Sequence, residues 1–135
     1  MPDAILPYAP VAGALVAMGV LCLVQALVAD VAGMRAGHIP GTPITGGHDD
    51  FLFRATRAQA NTNEGLGTFI VLALSAVALG ASPAWTNGLV WVFVAARLGH
   101  MLTYYMDLRP ARSGCFAIGL VALIGLGVVA VGAWL

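Results

Sequence analysis

The chain has 135 residues and a mass of 13.8 kDa, with 60% hydrophobic residues, 9% charged residues and a mean hydropathy of +0.91. Soluble domains carry about 25% charged residues, so this composition excludes a string of soluble domains and allows one bundle of membrane-spanning helices. Six arginines, no lysine and six acidic residues give a net charge of +0, which leaves neither a basic face for nucleic acid nor an acidic tail.

A helical span needs about 20 apolar residues. Ile5–Ala29 supplies the first, uncharged throughout, and the span is placed at residues 5–35. Met1-Pro2-Asp3 has no positive n-region, so the segment reads as an anchor rather than a cleaved signal peptide. Gly37–Asp50, rich in Gly, Pro and Thr, reads as a loop. Gly65–Ala96 carries no charge and is too long for one span; Gly80-Ala81-Ser82-Pro83 breaks it into a hairpin, with spans at 54–80 and 83–106. Pro110 opens a fourth span at 110–134. The expectation is an all-α integral membrane protein, one four-helix domain over 1–135. Gly13, Ala17, Gly119, Ala122, Gly125 and Gly132 suit close helix packing in lipid. Cys22 and Cys115 stand alone in apolar stretches, which excludes a disulfide scaffold or a structural zinc site.

Arg35, Arg54 and Arg57 flank the first loop and Arg109 and Arg112 the third, whereas the hairpin has no arginine. The positive-inside rule then puts loops one and three in the cytoplasm and both termini outside. The lack of lysine beside many Ala, Gly and Val suggests a GC-rich bacterial genome, and hence a bacterial inner membrane.

Two polar stripes interrupt the apolar spans. Arg54, Arg57, Asn61, Glu64 and Thr68 step by three and four residues along span two, as do Arg97, His100, Tyr104 and Asp107 along span three. Folding about residue 82 sets Glu64 level with His100, Asn61 with Tyr104, Arg57 with Asp107 and Thr68 with Arg97. Charges buried at such depth cost several kcal/mol unless paired or wetted, so a polar cleft open to the cytoplasm is expected. At the start of span four, Arg112 and Ser113 fall in the first turn, where backbone N–H groups and the helix dipole favour an anion or a thiolate.

Blander readings apply to several of these residues. Arg35, Arg54 and Arg109 read as snorkelling or topology charges, Arg57 with Asp107 as an interhelical ion pair, and His100 as a packing histidine. Gln25 and Thr68 read as packing polars, and Trp85, Tyr105 and Trp134 as aromatic belts. Arg97, Glu64 and Arg112 are the hardest to explain by packing.

At Arg57-Ala-Gln-Ala-Asn61-Thr-Asn-Glu64 the sequence resembles the membrane-associated proteins in eicosanoid and glutathione metabolism, the MAPEG family, whose second helix carries R-A-x-x-N-x-x-E. Arg97-Leu-Gly-His100-Met-Leu-Thr-Tyr104 matches R-x-x-H-x-x-x-Y of the third helix, and Arg112-Ser113 the R-S opening of the fourth. The resemblance implies a homotrimer binding glutathione between subunits, with Arg57, Asn61, Glu64, His100 and Tyr104 holding it and Arg35 contributing across the interface. Arg97 offers a further contact to an anionic group of the tripeptide. Arg112 stabilises the thiolate in this reading, with Ser113 as the alternative activator. Gln59 replaces a histidine frequent in the family, and Phe116 takes the place of a tyrosine that some members carry.

The resemblance implies a membrane-bound, glutathione-dependent transferase or peroxidase of the microsomal glutathione transferase kind, in a bacterial form. It would act on apolar small molecules or lipids arriving through the bilayer, with glutathione as co-substrate and no metal. The alternative is a non-catalytic protein of the same fold binding an anionic or lipid ligand. A small multidrug exporter would need an acidic residue in the first span, where only Gln25 is polar.

Overall fold

The computed structural model describes residue 3 and residues 5–135. Met1 and Pro2, on which the anchor reading partly rests, lie outside the described residues. A single 3-10 turn, Leu6–Tyr8, leads into α1 (Ala9–Arg35); α2 (Phe51–Ala78), α3 (Pro83–Tyr105) and α4 (Arg109–Trp134) follow, and the described residues contain no strand. Two helices, Leu6–Arg35 and Arg109–Trp134, are long and apolar enough to cross a membrane. The other two carry the polar stripes.

The ends of the helices have local causes. The Asp50 carboxylate accepts a hydrogen bond from the Leu52 N–H (2.9 Å) and caps α2, so the helix begins at Phe51, three residues before Arg54. Gly80 (φ 67°) adopts the left-handed conformation that closes α2, with the Ala81 N–H donating to the Ala76 carbonyl. Pro83 then starts α3 with a φ already suited to a helix. At the other end of α3 the left-handed residue is Asp107 (φ 54°), a position an aspartate tolerates better than most side chains. Its turn delivers the chain within three residues to α4.

Folded this way, α3 packs most extensively on α4, and α2 contacts all three other helices. The centre is a stacked pair, Phe69 on α2 and Phe93 on α3, with ring centroids 4.5 Å apart and both side chains fully buried. Their pairing agrees closely with folding about residue 82. Met18, Val90 and Leu126 complete the core, while Ala14, Ala73 and Ala122 let the backbones approach. At the hairpin end the Tyr8 hydroxyl donates to the Ala81 carbonyl and the Asn87 amide to the Pro7 carbonyl (2.9 Å), which pins α1 to α3. Both cysteines are free.

Because both rings of the stacked pair are fully buried, Phe93→Ala is expected to lower stability by about 3–5 kcal/mol. A depressed thermal midpoint of the detergent-solubilised protein would register the loss, and an unchanged midpoint would contradict this account of the core.

Candidate functional site

Toward the loop end of the bundle, away from the hairpin, the core turns polar. Arg97 (3% exposed), His100 (2%) and Tyr104 (9%) lie on the inner face of α3, one turn apart. Arg97 Nη1 donates to Asn61 Oδ1 on α2 at 2.7 Å, and its guanidinium carbon stands over the rings of Phe93 (5.1 Å) and Phe116 (5.5 Å). The side chain thus leans toward the loop end to reach Asn61 instead of stopping at Thr68, as a long cationic side chain in apolar surroundings does. Gly119 on α4 makes room for it: a Cβ there would fall 2.9 Å from Arg97 Nη2.

Two cavities meet at this point, sharing Asn61 and Phe116. One, of about 190 Å3, is lined by Asn61, Glu64, Gly65, Arg97 and Phe116 among others. The second, of about 220 Å3, is lined by Asn61, His100, Tyr104, Arg112, Ser113 and Phe116. Each is smaller than the 300–1,000 Å3 of ordinary ligand pockets; taken together they fall at the lower end of that range. Arg112 lies with its guanidinium carbon 4.4 Å from the Tyr104 ring centroid, and the His100 and Tyr104 rings meet edge to face at 5.2 Å. Residues from the second, third and fourth helices therefore converge, as the two stripes and the Arg-Ser pair anticipate.

Several details differ from the expectation. Glu64 shares a cavity with Arg97, not with His100, and it is exposed on the surface of the chain; among the described residues it forms no ion pair. Arg57 is exposed and does not reach Asp107, whose carboxylate instead accepts from Arg109 Nε at 3.4 Å. Arg35 lies apart, in an apolar groove between α1 and the start of α2 that Asp50 and Phe51 also line. The start of α4 offers fewer free donors than its position suggests. Pro110 has no N–H, the Arg109 N–H donates to the Asp107 carbonyl (3.1 Å), and the Arg112 N–H to the Leu108 carbonyl (2.9 Å). The exposed Ser113 hydroxyl donates to the Arg109 carbonyl at 3.2 Å. What the helix start presents to an anion is chiefly the Arg112 guanidinium and the dipole.

One residue at the site carries no sequence signal. His48, in the loop 36–50, places Nδ1 3.4 Å from Arg112 Nη1 and 4.0 Å from Asp107 Oδ1, stacks on Tyr104 and meets the edge of Phe53. Nothing in a Gly- and Pro-rich loop marks one histidine for such a position.

The described residues thus form four helices, two of them long and apolar enough to cross a membrane, with Arg97 and Arg112 lining neighbouring cavities at one end. The MAPEG family model matches residues 11–132, nearly the whole chain, and the protein belongs to that family. Membership makes it a membrane protein of the glutathione- or eicosanoid-metabolising kind, in a family whose members use glutathione. No curated protein matches the chain.

Asn61→Ala removes the side-chain hydrogen-bond partner of a nearly enclosed guanidinium, and a charged hydrogen bond of that kind contributes about 1.5–3 kcal/mol. The expected result is a fall of that size in stability that largely disappears when Arg97 is already methionine. Equal losses in both backgrounds would mean that the two side chains do not act as a pair.

Proposed function

We propose that the protein is a membrane-bound glutathione transferase or peroxidase, in which Arg112 stabilises the thiolate of glutathione for attack on an apolar electrophile. The observation that carries this reading is the convergence of Arg97, His100, Tyr104 and Arg112 on two adjoining cavities. Glutathione has two carboxylates and one ammonium, and its thiol becomes a second type of anion on ionising. Arg97 suits a carboxylate, Glu64 the ammonium, and Arg112 the sulfur, with Asn61, His100 and Tyr104 completing the wall. Arg97 Nε and His100 Nδ1 are buried without a protein hydrogen-bond partner, which supports an occupant that brings polar atoms. A free thiol titrates near 8.5; one cation and a helix dipole that lower it by one to two units would raise the reactive fraction at neutral pH about ten-fold or more. Arg112 is favoured over Ser113 as activator because the serine proton is directed at the Arg109 carbonyl.

In this reading all four helices span the membrane, with loops one and three on the cytoplasmic side, in a bacterial inner membrane. The active form is a homotrimer. Support for the trimer comes from Glu64 and Arg57, which are exposed on a helix whose following residues are apolar. Charges left against hydrocarbon cost several kcal/mol, and a second copy laid on α2 would shelter them and complete the pocket. Arg35, remote from Arg112 within one chain, would then act on the neighbouring subunit's pocket.

Conjugation of glutathione to a nitroaromatic electrophile by the purified protein tests the activity. Wild type should turn over, and Arg112→Ala should lose about ten-fold or more in rate. Glutathione binding without turnover across several electrophiles would favour the non-catalytic ligand-binding protein instead. Native mass measurement in mild detergent should give three copies per particle; a monomer would contradict the shared site.

A further inference from the structure

Loop 36–50 returns over the polar end of the bundle and lodges one side chain there. His48 is one-third exposed and is held from three helices. From α2, Arg54 donates to the His48 carbonyl and Phe53 packs edge to face against the ring (5.2 Å). From α3, Tyr104 stacks on it at 6.1 Å with 27° between planes. From the α3–α4 turn and the start of α4 come Asp107 Oδ1 and Arg112 Nη1, at 4.0 and 3.4 Å from the same nitrogen, Nδ1. Asp107 presents its carboxylate there from a left-handed backbone conformation (φ 54°) at the end of α3. Arg109, 3.4 Å from that carboxylate, is the remaining charge in the group.

A guanidinium only donates, so an Arg112–His48 contact requires Nδ1 to carry its lone pair. The imidazole therefore points a basic nitrogen at the arginine that the proposed function assigns to the sulfur, beside two residues, Tyr104 and Arg112, that line the cavity. We propose that His48 is the general base that takes the proton from the glutathione thiol. As the thiol enters, Arg112 exchanges Nδ1 for sulfur. The S–H bond breaks, its electron pair stays on sulfur opposite Arg112, and the proton forms an N–H bond at Nδ1. The resulting imidazolium faces the Asp107 carboxylate, and once the sulfur has left, Nδ1 gives its proton to water and recovers the lone pair that accepts from Arg112. Arg112 and His48 thus have separate roles, since the cation stabilises the product of ionisation and the imidazole provides a route for the proton.

This proposal rests on the glutathione reading of the site, and one set of stopped-flow measurements separates the two. Thiolate formation on mixing glutathione with the purified protein is followed by ultraviolet absorbance from pH 5.5 to 8.5, alongside glutathione affinity by calorimetry. His48→Gln, which keeps a polar group in the loop but cannot take the proton, should bind glutathione within about three-fold of wild type and form thiolate about a hundred-fold more slowly. His48→Ala should be slowed likewise and be accelerated by added imidazole. Unchanged rates in both His48 variants, with thiolate formation still lost in Arg112→Ala, would overturn the base and leave the glutathione site standing. Absence of thiolate formation in wild type would overturn both.

Discussion

A guanidinium inside a bundle of apolar helices must be given partners or water, and Arg97 is where that requirement falls. It is almost wholly enclosed, hydrogen-bonded to Asn61, flanked by two phenylalanine rings and admitted by the missing side chain at Gly119. None of these neighbours is an acid, so the charge is solvated by an amide and by ring faces and not neutralised. Among the described residues Arg97 forms no ion pair, and the acid sharing its cavity is the exposed Glu64. The adjoining cavities, and Arg112 one helix away, extend that positive character toward the loop end.

The remaining site follows from how three helix ends are made. Asp50 starts α2 early enough to carry Asn61 to the level Arg97 can reach; Asp107 ends α3 in a left-handed turn; Pro110 starts α4 directly afterwards, which puts Arg112 over Tyr104. The hairpin at Gly80–Pro83 needs only to be tight, and the Phe69–Phe93 stack keeps the level of α2 and α3 fixed. Polar chemistry collects at the loop end because the helix termini there carry the charged residues, while the hairpin end is sealed by Tyr8 and Asn87 bonding to backbone carbonyls.

Much of this was legible in the order of residues. The four helices fall within a few residues of the apolar runs, and the stripe on span three points inward as a unit, Arg97 to Tyr104. The early start of α2 has an identifiable cause in the Asp50 cap, and the late start of α1 follows from the 3-10 turn Leu6–Tyr8 that precedes it. Side-chain partners were less legible. A level rule treats helices as rods, whereas an arginine reaches over more than a turn, so Arg97 met Asn61 and Asp107 turned to Arg109 instead of Arg57. His48 was out of reach for a different reason: its position depends on loop closure over the bundle, and loops carry no periodicity. The exposed placement of Arg57, Glu64 and Arg35 in the single chain is what a shared, inter-subunit pocket would require, and no stripe pattern distinguishes an inner face from a subunit contact.

The central claim is that the polar end of the bundle is an anion-receiving pocket and not a set of structural ion pairs. An experimental structure of the protein in lipid with glutathione added tests it most directly. The account predicts density for the tripeptide beside Arg97 and Tyr104, with its sulfur within hydrogen-bonding distance of Arg112. Well-defined maps with the pocket closed by protein side chains, and Arg112 paired elsewhere at saturating glutathione, would contradict it.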